Sequence, residues 1–140
     1  MATRDEIVES LAGMTLFADL SAPQLQGVAG RMDEAFFADG ERILRQGLTG
    51  SGFYVILDGE VGVVVDGRQI NTLGRGEFFG EISILLQKPP VADIVALRPM
   101  RCLVLAGPAV EPFLLDHPRV MYRMLQALGR RLTGANRARS

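Results

Sequence analysis

Between Asp33 and Ala106 the chain cannot run far in any one direction, because glycine recurs at Gly40, Gly47, Gly50, Gly52, Gly59, Gly62, Gly67, Gly74, Gly76 and Gly80. Each glycine inside a helix costs about 1 kcal/mol relative to alanine, and the segments between them are rich in Val, Ile, Leu and Phe. Short strands joined by tight turns are the consequence. The spacing predicts strands over 34–37, 42–45, 53–57, 60–65, 68–73, 77–79, 91–97 and 101–105. Val61, Val63 and Val65 fall on one face and Gly62 and Val64 on the other, and Asp66-Gly67 is a two-residue hairpin turn. Eight short strands of this kind suggest a jelly-roll-like barrel or double sheet.

One stretch interrupts the strand pattern. Within Phe78–Ala96, Gly80 permits a close backbone approach, and Glu81–Leu86 fits a short helical turn whose first amides lack partners and attract anions. Pro89 and Pro90 are expected to end that turn, with strand resuming from Val91.

Helices flank the strands. Thr3 and Glu6 form a capping-box pattern ahead of Ile7, Val8 and Leu11; Ser21 and Gln24 repeat it ahead of Leu25, Val28, Ala29 and Met32. Gly107-Pro108 is expected to end the sheet, a short helix carries Val110, Phe113 and Leu114, and Pro118 closes it. A longer helix then places Met121, Met124, Leu125, Leu128 and Leu132 on one stripe. The chain thus reads as one mainly β domain over 1–140: amino-terminal helices 1–32, β-roll 33–106, carboxyl-terminal helices 107–134, and a frayed basic tail 135–140.

Charge and rare residues narrow the function. Fifteen basic and sixteen acidic residues leave a net charge of -1, so no overall basic field recruits nucleic acid directly. One cysteine and one histidine exclude an intrachain disulfide and the common Cys/His zinc sets. No apolar run is long enough to span a membrane and the amino terminus is too polar for a signal peptide, which places the chain in the cytoplasm. Cys102 reads as a small buried hydrophobe, His117 as a solvated loop residue, and Arg130-Arg131 as a solvated helix end that suits the helix dipole. Gly74-Arg75-Gly76-Glu77-Phe78-Phe79-Gly80 misses the dinucleotide-loop spacing by one residue and lacks a strand-helix crossover. No catalytic triad can be assembled around a single histidine, so an enzyme is not expected. Glu81 differs: a carboxylate directly after a glycine at a helix start can accept from a sugar diol while adjacent amides hold a phosphate.

These residues resemble the cyclic nucleotide-binding domain family over nearly the whole chain. The resemblance rests on Leu16-Phe17-Ala18-Asp19-Leu20-Ser21, on Gly40-Glu41-Arg42-Ile43 leading to Gln46-Gly47, and on Phe53 through Val61. It continues through Leu73-Gly74, Gly76-Glu77-Phe78-Phe79-Gly80-Glu81, and Val91-Ala92 onward to Cys102-Leu103-Val104-Leu105. It implies an eight-stranded β-roll with amino-terminal helices, a cassette helix and two carboxyl-terminal helices. It also implies a phosphate-binding cassette from Phe79 to about Val95, with Phe79, Gly80, Glu81, Ile82, Ser83, Pro90 and Val91 as ligand-binding positions. Glu81 would take the ribose hydroxyl, and the amides of Ile82 and Ser83 would lie near the phosphate. The implied ligand is cAMP, cGMP or a similar small anion, with no metal.

The family pattern has an arginine where this chain has Pro90, and Thr or Ser is common where it has Asp93. A cation ~4 Å from the phosphate is worth up to about 4 kcal/mol at an effective dielectric near 20. Weakened or altered affinity is therefore expected, with Lys88, Arg75 and Arg45 as candidate substitutes. Two functional classes follow: a regulatory sensor that signals through its last helices to a protein partner, or a degenerate module that binds no nucleotide and serves interaction or dimerisation through the Met121–Leu132 stripe. The sensor part of a longer transcription regulator is a third.

Overall fold

The computed structural model describes residues 2–48 and 52–139, so Gly50 and Ser140 lie outside the described residues. Helix α1 spans Arg4–Ala12, and Thr3 accepts from the Glu6 N–H as expected of its cap. A 3-10 turn follows at Thr15–Phe17, then α2 at Ala22–Gly30 with the full capping box between Ser21 and Gln24. The strands are β1 Asp33–Phe37, β2 Arg42–Leu44, β3 Gly52–Asp58, β4 Glu60–Val65, β5 Arg68–Gly74, β6 Phe78–Phe79, β7 Asp93–Ala96 and β8 Met100–Ala106. Helix α3, Glu81–Leu86, lies between β6 and β7, while α4 (Gly107–Asp116) and α5 (Pro118–Arg139) close the chain.

The strands form two antiparallel four-stranded sheets, ordered β1-β8-β3-β6 and β2-β7-β4-β5. The inner strands of the first sheet, β3 and β8, are largely buried on both faces, which is why β3 reads as a nearly continuous apolar run rather than an alternating one. Phe53, Val55 and Leu57 join the core under the helices, with Leu11, Phe17, Val28, Val110, Phe113 and Met124. Tyr54 and Ile56 face the roll interior, with Val61, Leu73, Ile94 and Cys102. β6 divides in the same way, since Phe78 belongs to the first cluster and Phe79 to the second. Adjacent side chains on a strand point to opposite faces, so these two residues link the helical layer to the interior of the roll. Asp66 (φ 51°) and Gly67 (φ 78°) form the expected hairpin, and the Gln46 side chain both accepts from the Asp66 N–H and donates to its carboxylate.

Four expectations change. α3 keeps its expected span, Glu81–Leu86, but it is closed by Gln87, whose left-handed backbone (φ 54°) ends the helix before Pro89 is reached. Gly107-Pro108 opens α4 instead of only ending the sheet, because proline is tolerated in a helix's first turn. α5 continues through 135–139, so the frayed tail is helix as far as Arg139. His117 stacks on Phe113 with ring centroids 4.5 Å apart, and its Nδ1 lies 2.9 Å from the Phe113 carbonyl oxygen; it is an ordered junction, not a solvated loop.

Candidate functional site

The site is assembled at the point where β6 turns into α3. Gly80 adopts φ 90°, and a Cβ there would collide with the Gly52 carbonyl oxygen, so only glycine fits this turn. On one side, Phe79 is buried and stacks on Tyr54 with centroids 4.7 Å apart. On the other, Glu81 begins the helix with only 4% of its surface exposed, and Ser83 follows at 8%. The Ser83 hydroxyl donates to the Lys88 carbonyl at 2.6 Å while the Lys88 N–H donates to the Ser83 carbonyl, so the chain after α3 folds back onto it.

Farther along, Pro90 is buried, and its carbonyl accepts from the Gly47 N–H at 2.9 Å. Val91 is 63% exposed and Ile82 half-buried. The structure thus gathers Phe79 to Ser83 around one turn and ties Pro90 to the turn after β2, with Val91 turned to solvent. Asp93 is occupied: it accepts from the Gln46 N–H at 2.6 Å, and its other oxygen lies 3.7 Å from Arg42 Nε. Its charge has local donors, which offsets the repulsion it would exert on an anion. Arg75, one of the candidate substitutes for the missing cassette arginine, instead reaches the Ser10 hydroxyl of α1 at 3.4 Å.

Burial drives the Glu81 carboxyl above its ordinary pKa, against opposing pulls from Arg131 and from the backbone N–H groups of Glu81 and Ile82. Arg131 is the residue that sequence reasoning missed. Its guanidinium donates to the Phe78 carbonyl at 2.6 Å, reaches Glu81 Oε1 at 3.4 Å, and lies 4.3 Å from the centroid of the Phe78 ring. The carbonyl bond is the short one, so the fork is anchored on Phe78 and touches the carboxylate second. Read as a solvated helix end, Arg131 is in fact a clasp between the last helix and the start of the cassette. A signal was present: Val120, Met124, Ala127 and Arg131 recur at helical spacing, so the arginine continues the face by which α5 packs on the core. The distance in sequence, 50 residues from Glu81, hid the pairing.

The apolar stripe of α5 also divides. Met124 is buried in the chain's own core and Met121 and Leu128 pack against it, whereas Leu125 and Leu132 are exposed. No helix among the described residues is long and apolar enough to cross a membrane, and no described cluster of His, Cys, Asp and Glu could hold a metal. Cys102 is fully buried, and its thiol is pushed up to about 12 by that burial.

The chain is similar to known proteins in sequence and in fold. The chain is 34% identical over 105 residues to the cGMP-dependent protein kinase egl-4 of Caenorhabditis briggsae, and 31% identical over 103 residues to a cAMP-dependent protein kinase regulatory subunit of Mucor circinelloides f. lusitanicus. Each match covers 71% of this chain, but only 14% and 24% of the relatives' own lengths, so the chain spans a quarter or less of either protein. The catabolite activator protein of Thermus thermophilus superposes with a TM-score of 0.78 at 27% identity, over 87% of this chain and 60% of that one. Residues 34–117, which include both sheets and the whole β6–α3 turn, match the profile described as cyclic nucleotide-binding domain, and the chain belongs to that family.

Proposed function

We propose that the chain is a regulatory domain in which a cyclic nucleotide or similar small anion engages the turn from Phe79 to Ser83, and that α5 carries the response to a protein partner. The observation that carries this reading is the Arg131 clasp: the carboxylate that would take the sugar hydroxyls is held by the last helix. A ligand that recruits Glu81 competes with Arg131 for it, so occupancy of the cassette and attachment of α5 become linked free energies. Affinity is weakened relative to a cassette with its own arginine, because Pro90 supplies no cation. Half of the ~4 kcal/mol Coulomb figure already exceeds tenfold in binding.

Pro90 equally supports the second reading, an interaction module that keeps the roll and binds no nucleotide. A homodimer through α5 would then rest on Leu125 and Leu132, since the methionines are used internally; a monomeric mass by light scattering at micromolar protein excludes it.

Titration calorimetry with cAMP and with cGMP separates the two. Binding that Glu81→Ala abolishes and Pro90→Arg strengthens at least tenfold supports the sensor. No heat and no thermal shift at millimolar nucleotide overturns it.

A further inference from the structure

A cavity of about 580 Å³ opens outside the roll, between the α1–3-10 turn junction, the turn before β6 and the inner face of α5. Four of its lining residues are arginines, Arg75, Arg123, Arg130 and Arg131, against one carboxylate, Glu77. It shares Phe78 and Arg131 with the cassette region but contains none of residues 79–93. In a chain of net charge -1 such a concentration of guanidinium groups around one concavity is a local reversal of sign.

The existing hydrogen bonds decide how much of that charge is free. Arg123 is bound by Asp19, to which it donates at 2.8 and 3.0 Å, and Arg131 by Glu81 and the Phe78 carbonyl. Glu77 accepts from the Gly74 N–H at 2.7 Å and forms no ion pair among the described residues. Arg75 has only the 3.4 Å contact with the Ser10 hydroxyl, and Arg130 has no carboxylate within ion-pairing distance among the described residues. Arg75 and Arg130 therefore line one space with no ion-pair partner among the described residues, Glu77 being the single carboxylate beside them, and planar guanidinium forks suit the oxygens of a phosphate better than a point charge would. The volume exceeds what a bare anion fills and falls in the range of small-molecule sites. Met14, Leu16 and Ala127 supply an apolar wall for the remainder.

We propose that this cavity is a second ligand site, separate from the cassette, for a small phosphorylated organic molecule whose dianionic phosphate lies between Arg75 and Arg130.

The test is titration calorimetry of the whole 140-residue chain with phenyl phosphate and with inorganic phosphate, without any cyclic nucleotide, so that its outcome is independent of the cassette reading. Phenyl phosphate is expected to bind one per chain and more tightly than inorganic phosphate. Arg75→Gln and Arg130→Gln, both exposed positions where folding is checked by circular dichroism, are each expected to weaken it at least tenfold. Equal affinity in wild type and both variants, or no binding at millimolar concentration, overturns the proposal. So does binding that survives both arginine changes but is lost in Ser83→Trp, which would assign the phosphate to the cassette.

Discussion

Replacing Arg131 by methionine tests the clasp directly, because a thioether of similar length keeps contact with the Phe78 ring while removing every donor. Two interactions disappear: the 2.6 Å bond to the Phe78 carbonyl and the 3.4 Å contact with a carboxylate that is 4% exposed. Stripping the partner from a buried ion pair costs about 3–5 kcal/mol. Here the Glu81 contact is long and the Arg131 side chain is 29% exposed, so the combined loss should be nearer about 2–3 kcal/mol. At about 3 °C per kcal/mol for a chain of this size, Tm should fall by roughly 6–9 °C.

The pH dependence is more diagnostic than the size. Glu81 is an acid whose folded pKa is raised above its ordinary value of 4.5, so the folded state holds its proton more tightly than the unfolded chain does. Stability is then highest at and below the unfolded value and is lost as pH rises through the folded one. Removing Arg131 removes a pull that lowers this pKa, so it extends the window upward and the variant's deficit should grow as pH rises above the unfolded value. In a Glu81→Gln background no charge is left unpaired, and Arg131→Met should cost only about 1 kcal/mol for the carbonyl bond. Urea unfolding followed by far-ultraviolet circular dichroism gives all four corners of the cycle. A deficit that is independent of pH and identical in both backgrounds would refute the coupling of Arg131 to the Glu81 charge.

Gly80→Ala should destabilise the chain by roughly 2–4 kcal/mol in urea melts, since a Cβ at φ 90° adds backbone strain to a collision with Gly52. Asp19 is held at about 2 by Arg123 and Arg119, below its ordinary value of 3.8. Its stabilising effect is complete above the unfolded value and disappears as pH falls toward 2; Asp19→Asn should flatten that limb of the stability profile, and an unchanged acid transition would count against it. Cys102 should resist alkylation by iodoacetamide in the folded chain and react on denaturation, as read by mass spectrometry, because its thiol is fully buried and pushed up to about 12.

Local chemistry was legible in the residues to the extent that it was local. Thr3 and Ser21 cap their helices as their spacing implies, Glu60–Val65 is a strand to the residue, and Asp66-Gly67 makes the hairpin, because each depends on neighbours within a few positions. The bounds of α3 were legible as Glu81–Leu86, but its terminator was not, because Gln87 in a left-handed conformation is a cap that a non-glycine residue rarely provides. At the site, Gly80 and Glu81 announced themselves by their adjacency, whereas their counter-ion did not. Arg131 reads as one more arginine in a basic run until α5 is laid across the sheet. The partners of Asp93 were hidden for the same reason, as they come from Arg42 on β2 and from Gln46 in the turn after it. Pairings between elements depend on the packed fold, which no short pattern carries.

The two halves of α5 are fastened by different physics, and this bears on how the helix could respond. Its first turns are held by burial, with Val120 and Met124 almost fully enclosed, and by the double pairing of Asp19 with Arg119 and Arg123. Beyond Ala127 the core contributes little: Gly129, Arg130, Leu132, Thr133 and Gly134 are exposed, and Arg131 supplies the polar attachment to the cassette. Releasing a polar clasp returns its groups to water at a net cost of a few kcal/mol, whereas releasing the first half would expose the core. The last turns can therefore part from the roll while the domain stays folded. Because the clasp grips the two residues that flank the Phe79-Gly80 turn, any ligand that takes Glu81 acts on the most weakly held part of the helix.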